Sequence, residues 1–404
     1  MSTIRARERI ALVLAGGAAR GAYEVGVVQY LLEEVARDLG RELPLDILSG
    51  TSVGAINACA LAAFADEPGP VRAQRLVEHW TSLRIQDVIH PDLGELFLRS
   101  MRLILARPAR AGSVALLDPA GLQRIVSGSI PFERIGANLR AGRFEALTVS
   151  TTHVASGRTV VFIERNGPPL PAWSSDPTVV PKETQIHAEH ALASAAIPFL
   201  FPPVRIGDEL HCDGGLRQNV PLSPARRLGA DAILVVSPRH VTTSPIPGEE
   251  EFAAGPLAIL GQTLNALMLD RIDSDLDRLR RINLILDAGS RAYGDEFVDK
   301  LNRELGFGDA LRIRPLRSLL IRASVDLGEL ANKYVRSLAF AQRASGVVGR
   351  LIRRLSSAEG THSDLLSYVL FDGEFARLLI ALGRADAATR HDDLVRFFSG
   401  ALGD

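Results

Sequence analysis

Two short apolar segments, each followed by a glycine turn and then a helical pattern, most constrain the fold of this 404-residue chain. The segment Ile10 to Ala15 enters the turn GGAARG at residues 16–21, and Leu45 to Leu48 enters GTSVG at residues 50–54. Two such units about thirty residues apart are typical of consecutive βα units of a parallel sheet, whose turns meet at one edge. The sequence therefore predicts an α/β fold with both glycine turns at that edge.

The second turn, GTSVG, has the GxSxG pattern of a nucleophile elbow. In such a turn the glycines permit a sharp strand-to-helix reversal, which raises the serine hydroxyl above a helix N-terminus. The five residues alone are a weak signal, but their position between a strand and a helix strengthens it. Ser52 is therefore a candidate nucleophile, and the alternative is an ordinary turn with a capping serine.

The first turn, GGAARG, offers backbone amides that could hold the oxygen of a tetrahedral acyl intermediate. The alternative is a phosphate-binding loop, because a glycine turn at a helix start suits any anion. Ala18 in place of a glycine and the absence of GKS or GKT count against that alternative. Arg20 could support anion binding in either case, or brace the turn.

Asp213, in the turn DGG, is the candidate base for Ser52. A carboxylate can take the serine proton if burial raises its proton affinity, although Asp-Gly is also a common structural turn. A Ser-His-Asp triad completed by His240 is the rival arrangement, but the serine lies early in the chain for such a hydrolase. His187 and His190 are interpreted as surface helix histidines, since no third ligand suggests a metal site.

Four segments in this order resemble the patatin-like phospholipase family: GGAARG, GTSVG, ASAAIPFLFPPV at residues 193–204 and DGGLRQNVP at residues 213–221. The resemblance covers roughly residues 8 to 240, and LLSYVLFDGEFARLLIALGRADA looks like a C-terminal helical region of bacterial members. It implies a three-layer α/β/α domain with a mainly parallel central sheet. It also implies hydrolysis of lipid acyl esters through a covalent acyl-enzyme.

The family's site residues carry over by motif position. The resemblance implies that Ser52 is the nucleophile, that Asp213 is the general base, and that the amides of Gly16, Gly17 and Ala18 form the oxyanion hole, supported by Arg20. Most members have glycine at position 18, and we expect alanine to be tolerated there at a negative φ. The other motif residues shape the turns, and they are Gly21, Gly50, Thr51, Val53, Gly54, Gly214 and Gly215.

The composition favours a globular enzyme, and the motifs imply no cofactor. Hydrophobic residues make up 47% of the chain, and a formal net charge of −1 gives no electrostatic basis for nucleic-acid binding. The sequence lacks HExxH, CxxC and EF-hand patterns, so no metal or other cofactor is expected. The N-terminal segment is not interpreted as a signal peptide, and no apolar run is long enough to span a bilayer. The predicted location is cytoplasmic, with any membrane contact peripheral.

The predicted organisation has two parts. Residues 8–290 form the patatin-like domain, with a helical insertion at about 69–131, and residues 291–404 form a C-terminal helical extension that acts as a cap or a homodimer contact. In the insertion, residues 92–110 form an amphipathic pattern, interpreted as a lipid-facing lid or as a helix packed on the core. Further strands are predicted at residues 147–150, 159–163, 233–237 and 283–286, with a hairpin at 152–164.

Three other functions fit the same sequence. A catalytically weak module could use the pocket to hold an acyl chain, and a nucleotide-binding protein could use the first glycine turn for phosphate. An acyltransferase would replace water by another alcohol.

Overall fold

The computed structural model describes residues 8–85, 119–167, 170, 176–198, 200–241, 272–306, 312–343 and 363–400. Within these ranges a central sheet lies between two layers of helices, which confirms the predicted fold class. The strands are β1 (Ile10–Leu14), β2 (Ile47–Thr51), β3 (Ala146–His153), β4 (Thr159–Arg165), β5 (Val179–Glu183), β6 (Val204–Ile206), β7 (Glu209–Asp213), β8 (Ala232–Ser237) and β9 (Arg317–Arg322).

The helices in the first half of the chain are α1 (Gly21–Tyr30), α2 (Val53–Ala63), α3 (Gly69–Thr81), α4 (Pro119–Ser129), α5 (Glu133–Arg140), α6 (Ala188–Ser194) and α7 (Leu222–Arg227). Those that follow are α8 (Ile272–Tyr293), α9 (Phe297–Glu304), α10 (Leu327–Val335), α11 (Leu338–Arg343), α12 (Ser363–Val369), α13 (Gly373–Thr389) and α14 (His391–Ser399). Helix α1 continues through a π-helical turn, Leu31–Val35.

The strand order in the sheet is β5-β4-β3-β2-β1-β8-β9. Strands β2, β1, β8 and β9 run parallel, whereas β4 is antiparallel to β3 and closes the predicted hairpin. The short strand β7 also pairs antiparallel with β3, beside the end of β2. The sheet is therefore parallel at its centre and mixed at one side, as the sequence indicates.

Strand β1 lies at the centre of the sheet and is buried on both faces. Leu12 and Leu14 pack with α1 and α2, whereas Ala11 and Val13 pack on the opposite face with residues of α7 and α8. Because successive side chains of a strand point to opposite faces, a continuous apolar run is what such a position requires.

Helix α13, from the C-terminal region, crosses α1 at very short range. A Cβ atom added to Gly26 of α1 would lie 2.0 Å from the carbonyl oxygen of Ile380, and one added to Gly383 would lie 2.1 Å from that of Tyr23. The two glycines let the helix backbones touch, so α1 is covered on both sides. The sequence pattern predicts only one buried face for α1, because its partner lies some 350 residues further along the chain.

The structure of the C-terminal half differs from the sequence-based expectation at two places. The prediction of a strand at residues 283–286 is wrong, because those residues lie inside α8. A short apolar run fits a strand or a buried helix segment, and here it is part of a 22-residue helix. The sheet instead takes β9, from the region expected to be helical, as the neighbour of β8. The boundary at residue 290 stays a prediction.

The lid pattern at residues 92–110 lies outside the described residues. None of the helices in the described ranges combines the length and the hydropathy that a membrane-spanning helix needs.

Candidate active site

Strand β3 brings Ser52 and Asp213 together through its pairing register. Thr51, the last residue of β2, pairs with Ser150, and Asp213, the last residue of β7, pairs with Thr151. Two strands that end at adjacent positions along β3 must place their following turns side by side. The Ser52 hydroxyl accordingly donates a hydrogen bond to Oδ2 of Asp213 at 2.6 Å.

Ser52 occupies a strained backbone conformation at the start of α2. Its φ of 55° and ψ of −128° are unusual for a residue other than glycine, and its side chain is buried. Such strain costs of order 1–3 kcal/mol and persists only where the surroundings enforce it. Gly54 lets the start of α2 pack directly on the end of β1, because a Cβ there would lie 2.3 Å from the carbonyl oxygen of Leu14. This close packing helps to hold the strained turn.

Ser194 fixes the nucleophile turn from the side of α6. Its hydroxyl accepts a hydrogen bond from the amide of Ser52 at 2.9 Å and donates one to the carbonyl oxygen of Ser150 at 2.6 Å. Two residues later, the carbonyl of Ala196 accepts the amide of Asp213 at 2.9 Å. The segment at residues 193–204 thus holds both polar residues of the site, and Ser194 is a member that the sequence did not single out.

Asp213 is completely buried, and both of its carboxylate oxygens are occupied. Ser52 donates to one, and the amide of Gly215 donates to the other at 2.7 Å. Burial raises the pKa of Asp213 from 3.8 to about 7, against the two hydrogen bonds, which lower it. The group is therefore matched to accept a proton near neutral pH.

This pKa predicts how activity depends on pH. If Asp213 is the base, kcat/KM on an uncharged ester will rise with pH through a midpoint near 7, because only the deprotonated carboxylate accepts the serine proton. Folding stability will change in the opposite direction. The folded-state pKa lies above the unfolded value, so this group's contribution falls as pH rises from about 4 to about 7. A rate that is flat between pH 5 and 8 would contradict the assignment.

The first glycine turn lies against the nucleophile, but its first amide is occupied. A Cβ on Gly16 would come within 3.1 Å of Cβ of Ser52, so only glycine fits comfortably here. The Gly16 amide donates to the carbonyl oxygen of Asn219 at 3.0 Å, which takes it out of the expected oxyanion hole. Within the described residues, the amides of Gly17 and Ala18 have no such acceptor.

The prediction that Ala18 has a negative φ is wrong. Its φ is +48°, in the region that favours glycine. The turn therefore keeps the backbone shape that suits a glycine, and alanine adopts it at a cost of about 1 kcal/mol.

Two substitutions of Ala18 test how much its positive φ costs in unfolding free energy. Ala18→Gly relieves the strain but adds freedom to the unfolded chain, so its unfolding free energy should stay within about 1 kcal/mol of wild type, with turnover retained. Ala18→Val places a β-branched residue at positive φ and should lose about 2 kcal/mol. Urea unfolding measures both, and equal stability of the two variants would contradict this account.

Arg20 contacts the C-terminal helix α12. Its Nε donates to the hydroxyl of Ser367 at 2.8 Å, and its guanidinium lies 4.0 Å from the ring centroid of Tyr368, both in α12. The side chain is buried. Of the two alternatives from the sequence, the structure favours bracing of the turn over anion binding.

The candidate histidines lie away from the Ser–Asp pair. His240 contacts the carbonyl oxygen of Ala323 at 3.2 Å, and none of the histidines in the described ranges is hydrogen-bonded to Ser52 or Asp213. His190 is buried against Phe162 rather than on the surface, and burial lowers its pKa to about 4. Its Nδ1 accepts the amide of His187, so the pair forms a helix cap.

The remaining motif residues lie at strand ends, helix starts or in a short turn. Gly21 begins α1, Gly50 and Thr51 end β2, Val53 and Gly54 begin α2, and Gly214 and Gly215 form a short 3₁₀ turn after β7.

A mainly parallel sheet between helices, with a serine on a strained strand-to-helix turn, is typical of the broad class of α/β hydrolases. Within that class the chain belongs to the patatin-like phospholipase family, whose model matches residues 12–226. This confirms the resemblance noted in the sequence and makes the chain a lipid acyl hydrolase by family.

Solved structures similar to the chain are distant. VipD from Legionella pneumophila is 15% identical, with a TM-score of 0.31, and the match covers 93% of this chain and 67% of VipD. Human GIVD cytosolic phospholipase A2 is 13% identical, with a TM-score of 0.43 and coverage of 98% and 59%. ExoU from Pseudomonas aeruginosa, in complex with SpcU, is 14% identical, with a TM-score of 0.26 and coverage of 95% and 78%. The chain thus spans less than two thirds of the human enzyme, and no curated protein sequence matches it.

Proposed function

We propose that this protein hydrolyses fatty acyl esters of lipids, phospholipids included, with Ser52 as the nucleophile and Asp213 as the general base. The observation that carries the proposal is the 2.6 Å hydrogen bond from the Ser52 hydroxyl to a buried carboxylate whose pKa is raised to about 7. A serine is a weak nucleophile until an adjacent base takes its proton, and this carboxylate is in position to do so.

In the first half of the reaction, Oγ of Ser52 attacks the ester carbonyl carbon while its proton moves to Oδ2 of Asp213. The amides of Gly17 and Ala18 would stabilise the oxyanion, a role worth roughly two to three orders of magnitude in rate per donor. When the intermediate collapses, the leaving alcohol takes the proton from Asp213 and the acyl group stays on Ser52.

In the second half, Asp213 takes a proton from water, and the hydroxide oxygen attacks the acyl-enzyme carbonyl. Collapse of this second intermediate breaks the bond to Oγ of Ser52, which regains the proton from Asp213, and the fatty acid leaves. The same base therefore serves both steps. Peripheral contact with a lipid surface and a homodimer stay predictions from the sequence.

The proposal predicts covalent trapping of one serine. A long-chain fluorophosphonate ester should add a single mass increment to wild type and none to Ser52→Ala, because the reagent phosphonylates an activated serine. Intact-mass analysis measures the adduct, and peptide mapping places it on Ser52.

Ser49→Ala is the matched control for this experiment. Ser49 is a buried serine of β2, three residues before Ser52, and its hydroxyl lies 2.6 Å from that of Thr148, away from Asp213. This variant should be labelled like wild type. Unlabelled wild type that is stabilised thermally by nucleotide would instead favour the phosphate-loop alternative, and labelling of Ser52→Ala would assign the nucleophile elsewhere.

A further inference from the structure

The first glycine turn, residues 16–21, carries the proposed oxyanion donors and is the oxyanion turn. It is held at both ends, and one of the residues that hold it comes from the far end of the chain. Upstream, the Gly16 amide is bonded to Asn219. Downstream, Arg20 is bonded to Ser367 and lies over Tyr368. The strained residue, Ala18, lies between these two attachments. A positive φ at alanine persists only where its surroundings enforce it, so both attachments have a mechanical role.

The contacts between Arg20 and α12 are suited to fixing the position of the turn. The guanidinium is buried, the Ser367 hydroxyl is fully buried, and the aromatic ring supplies a cation–π contact. Because a buried charge is costly to leave with fewer partners, loss of these two contacts would weaken the hold of α12 on the guanidinium. Arg20 also closes the turn, since its amide donates to the carbonyl of Gly17 at 3.0 Å. Movement of Arg20 would therefore move Gly17 and Ala18, whose amides are the proposed oxyanion donors.

A second contact secures the helix that follows the turn. The hydroxyl of Tyr23 donates to Asp386 of α13 at 3.0 Å, and the same carboxylate oxygen accepts the amide of Ser324, just beyond β9. Tyr23 is fully buried. The turn and the first residues of α1 thus depend on helices α12 and α13, which lie outside residues 12–226, the segment that the family model matches.

We propose that Ser367 and Tyr368 are positioning residues for the oxyanion turn and act on it through Arg20. The proposal rests on the proposed hydrolysis, since it concerns the amides that stabilise its transition state. On this view α12 and α13 position the turn of the active site and are not an appendage. They hold Ala18 in the conformation that keeps its amide directed at the site.

The experiment compares wild type with the double variant Ser367→Ala/Tyr368→Leu on one uncharged ester. We expect kcat to fall about tenfold or more, because a donor misplaced by a fraction of an ångström loses much of its effect on the transition state. KM should stay within about twofold, because the contact matters in the transition state and not in ground-state binding. The midpoint of the pH profile should stay near 7, because burial of Asp213 sets it.

Two controls separate positioning from general destabilisation. Tyr368→Phe, the conservative variant, keeps the ring beneath Arg20 and should retain most of the kcat that the double variant loses. Tyr334→Phe removes a 2.6 Å hydrogen bond to Asp372, at the start of α13, without touching Arg20. It should lower Tm but leave kcat unchanged.

The remaining outcomes are as informative. Wild-type kcat in the double variant, a rise in KM alone, or a pH midpoint displaced towards the ordinary carboxylate range would each overturn the inference. A loss of kcat in Tyr334→Phe equal to that in the double variant would also overturn it. Ser52→Ala serves as the reference for the proposed function. If wild type turns over the ester no faster than Ser52→Ala, the proposed function itself fails, and this result is distinct from the outcomes above.

Discussion

Asp213→Asn is expected to lower kcat by about four orders of magnitude while the protein stays folded. Asparagine has almost the same shape but cannot accept the proton of Ser52, and loss of an acid–base partner beside a catalytic serine costs about that much. The fold should tolerate the change because a buried site that raises the pKa of Asp213 to about 7 already favours an uncharged group. Circular dichroism and the unfolding midpoint check the fold, and steady-state hydrolysis checks the rate.

His240→Ala is the control for this prediction. His240 follows β8 at the same edge of the sheet but contacts Ala323, so its removal should leave kcat within about twofold of wild type. An active Asp213→Asn together with an inactive His240→Ala would replace the proposed Ser–Asp pair by the triad that the sequence also allows.

The second large effect concerns the contact between α1 and α13. Gly26→Ala is expected to destabilise the protein by about 3 kcal/mol or more, because its Cβ would lie 2.0 Å from the carbonyl oxygen of Ile380. The atoms that this Cβ would meet are backbone atoms of α13, so no change of side-chain rotamer can relieve the clash and the two helices must move apart. Denaturant unfolding measures the loss.

Gly128→Ala provides the matched comparison, because it makes the same change at an exposed position of α4. A Cβ there meets nothing within 4 Å. The ordinary preference of helices for alanine should stabilise this variant by about 0.5–1 kcal/mol. Equal effects of the two substitutions would show that the close crossing does not limit stability.

The sequence predicts those parts of the site that local chemistry marks. Ser52 and Asp213 lie in glycine turns at strand ends, and such turns are visible as residue patterns. Ser194 is not visible in this way, because a single serine in an apolar segment gives no sign that its hydroxyl joins two backbone groups. The φ of Ala18 could not be predicted either, since the residues that contact its turn include 219 and 367, which lie far along the chain.

The same limit applies to the fold. Alternation and turn signals identify β1, β4 and β8 because those strands are long apolar runs with clear ends. Strand β9 has only two buried residues and lies among helical patterns, so periodicity gives little warning of it. Its place beside β8 follows from pairing across the sheet, which is information that no local segment carries.

The central position of β1 has a consequence for synthesis of the protein. Its partner β2 follows within forty residues, but its other partner, β8, is made more than two hundred residues later. At ribosomal rates of about 5–20 residues per second, one edge of a wholly apolar strand waits roughly 10 to 45 seconds for its neighbour. An unpaired edge of this kind is a template for other chains. The yield of folded protein in a cell will therefore depend on what covers β1 during that interval.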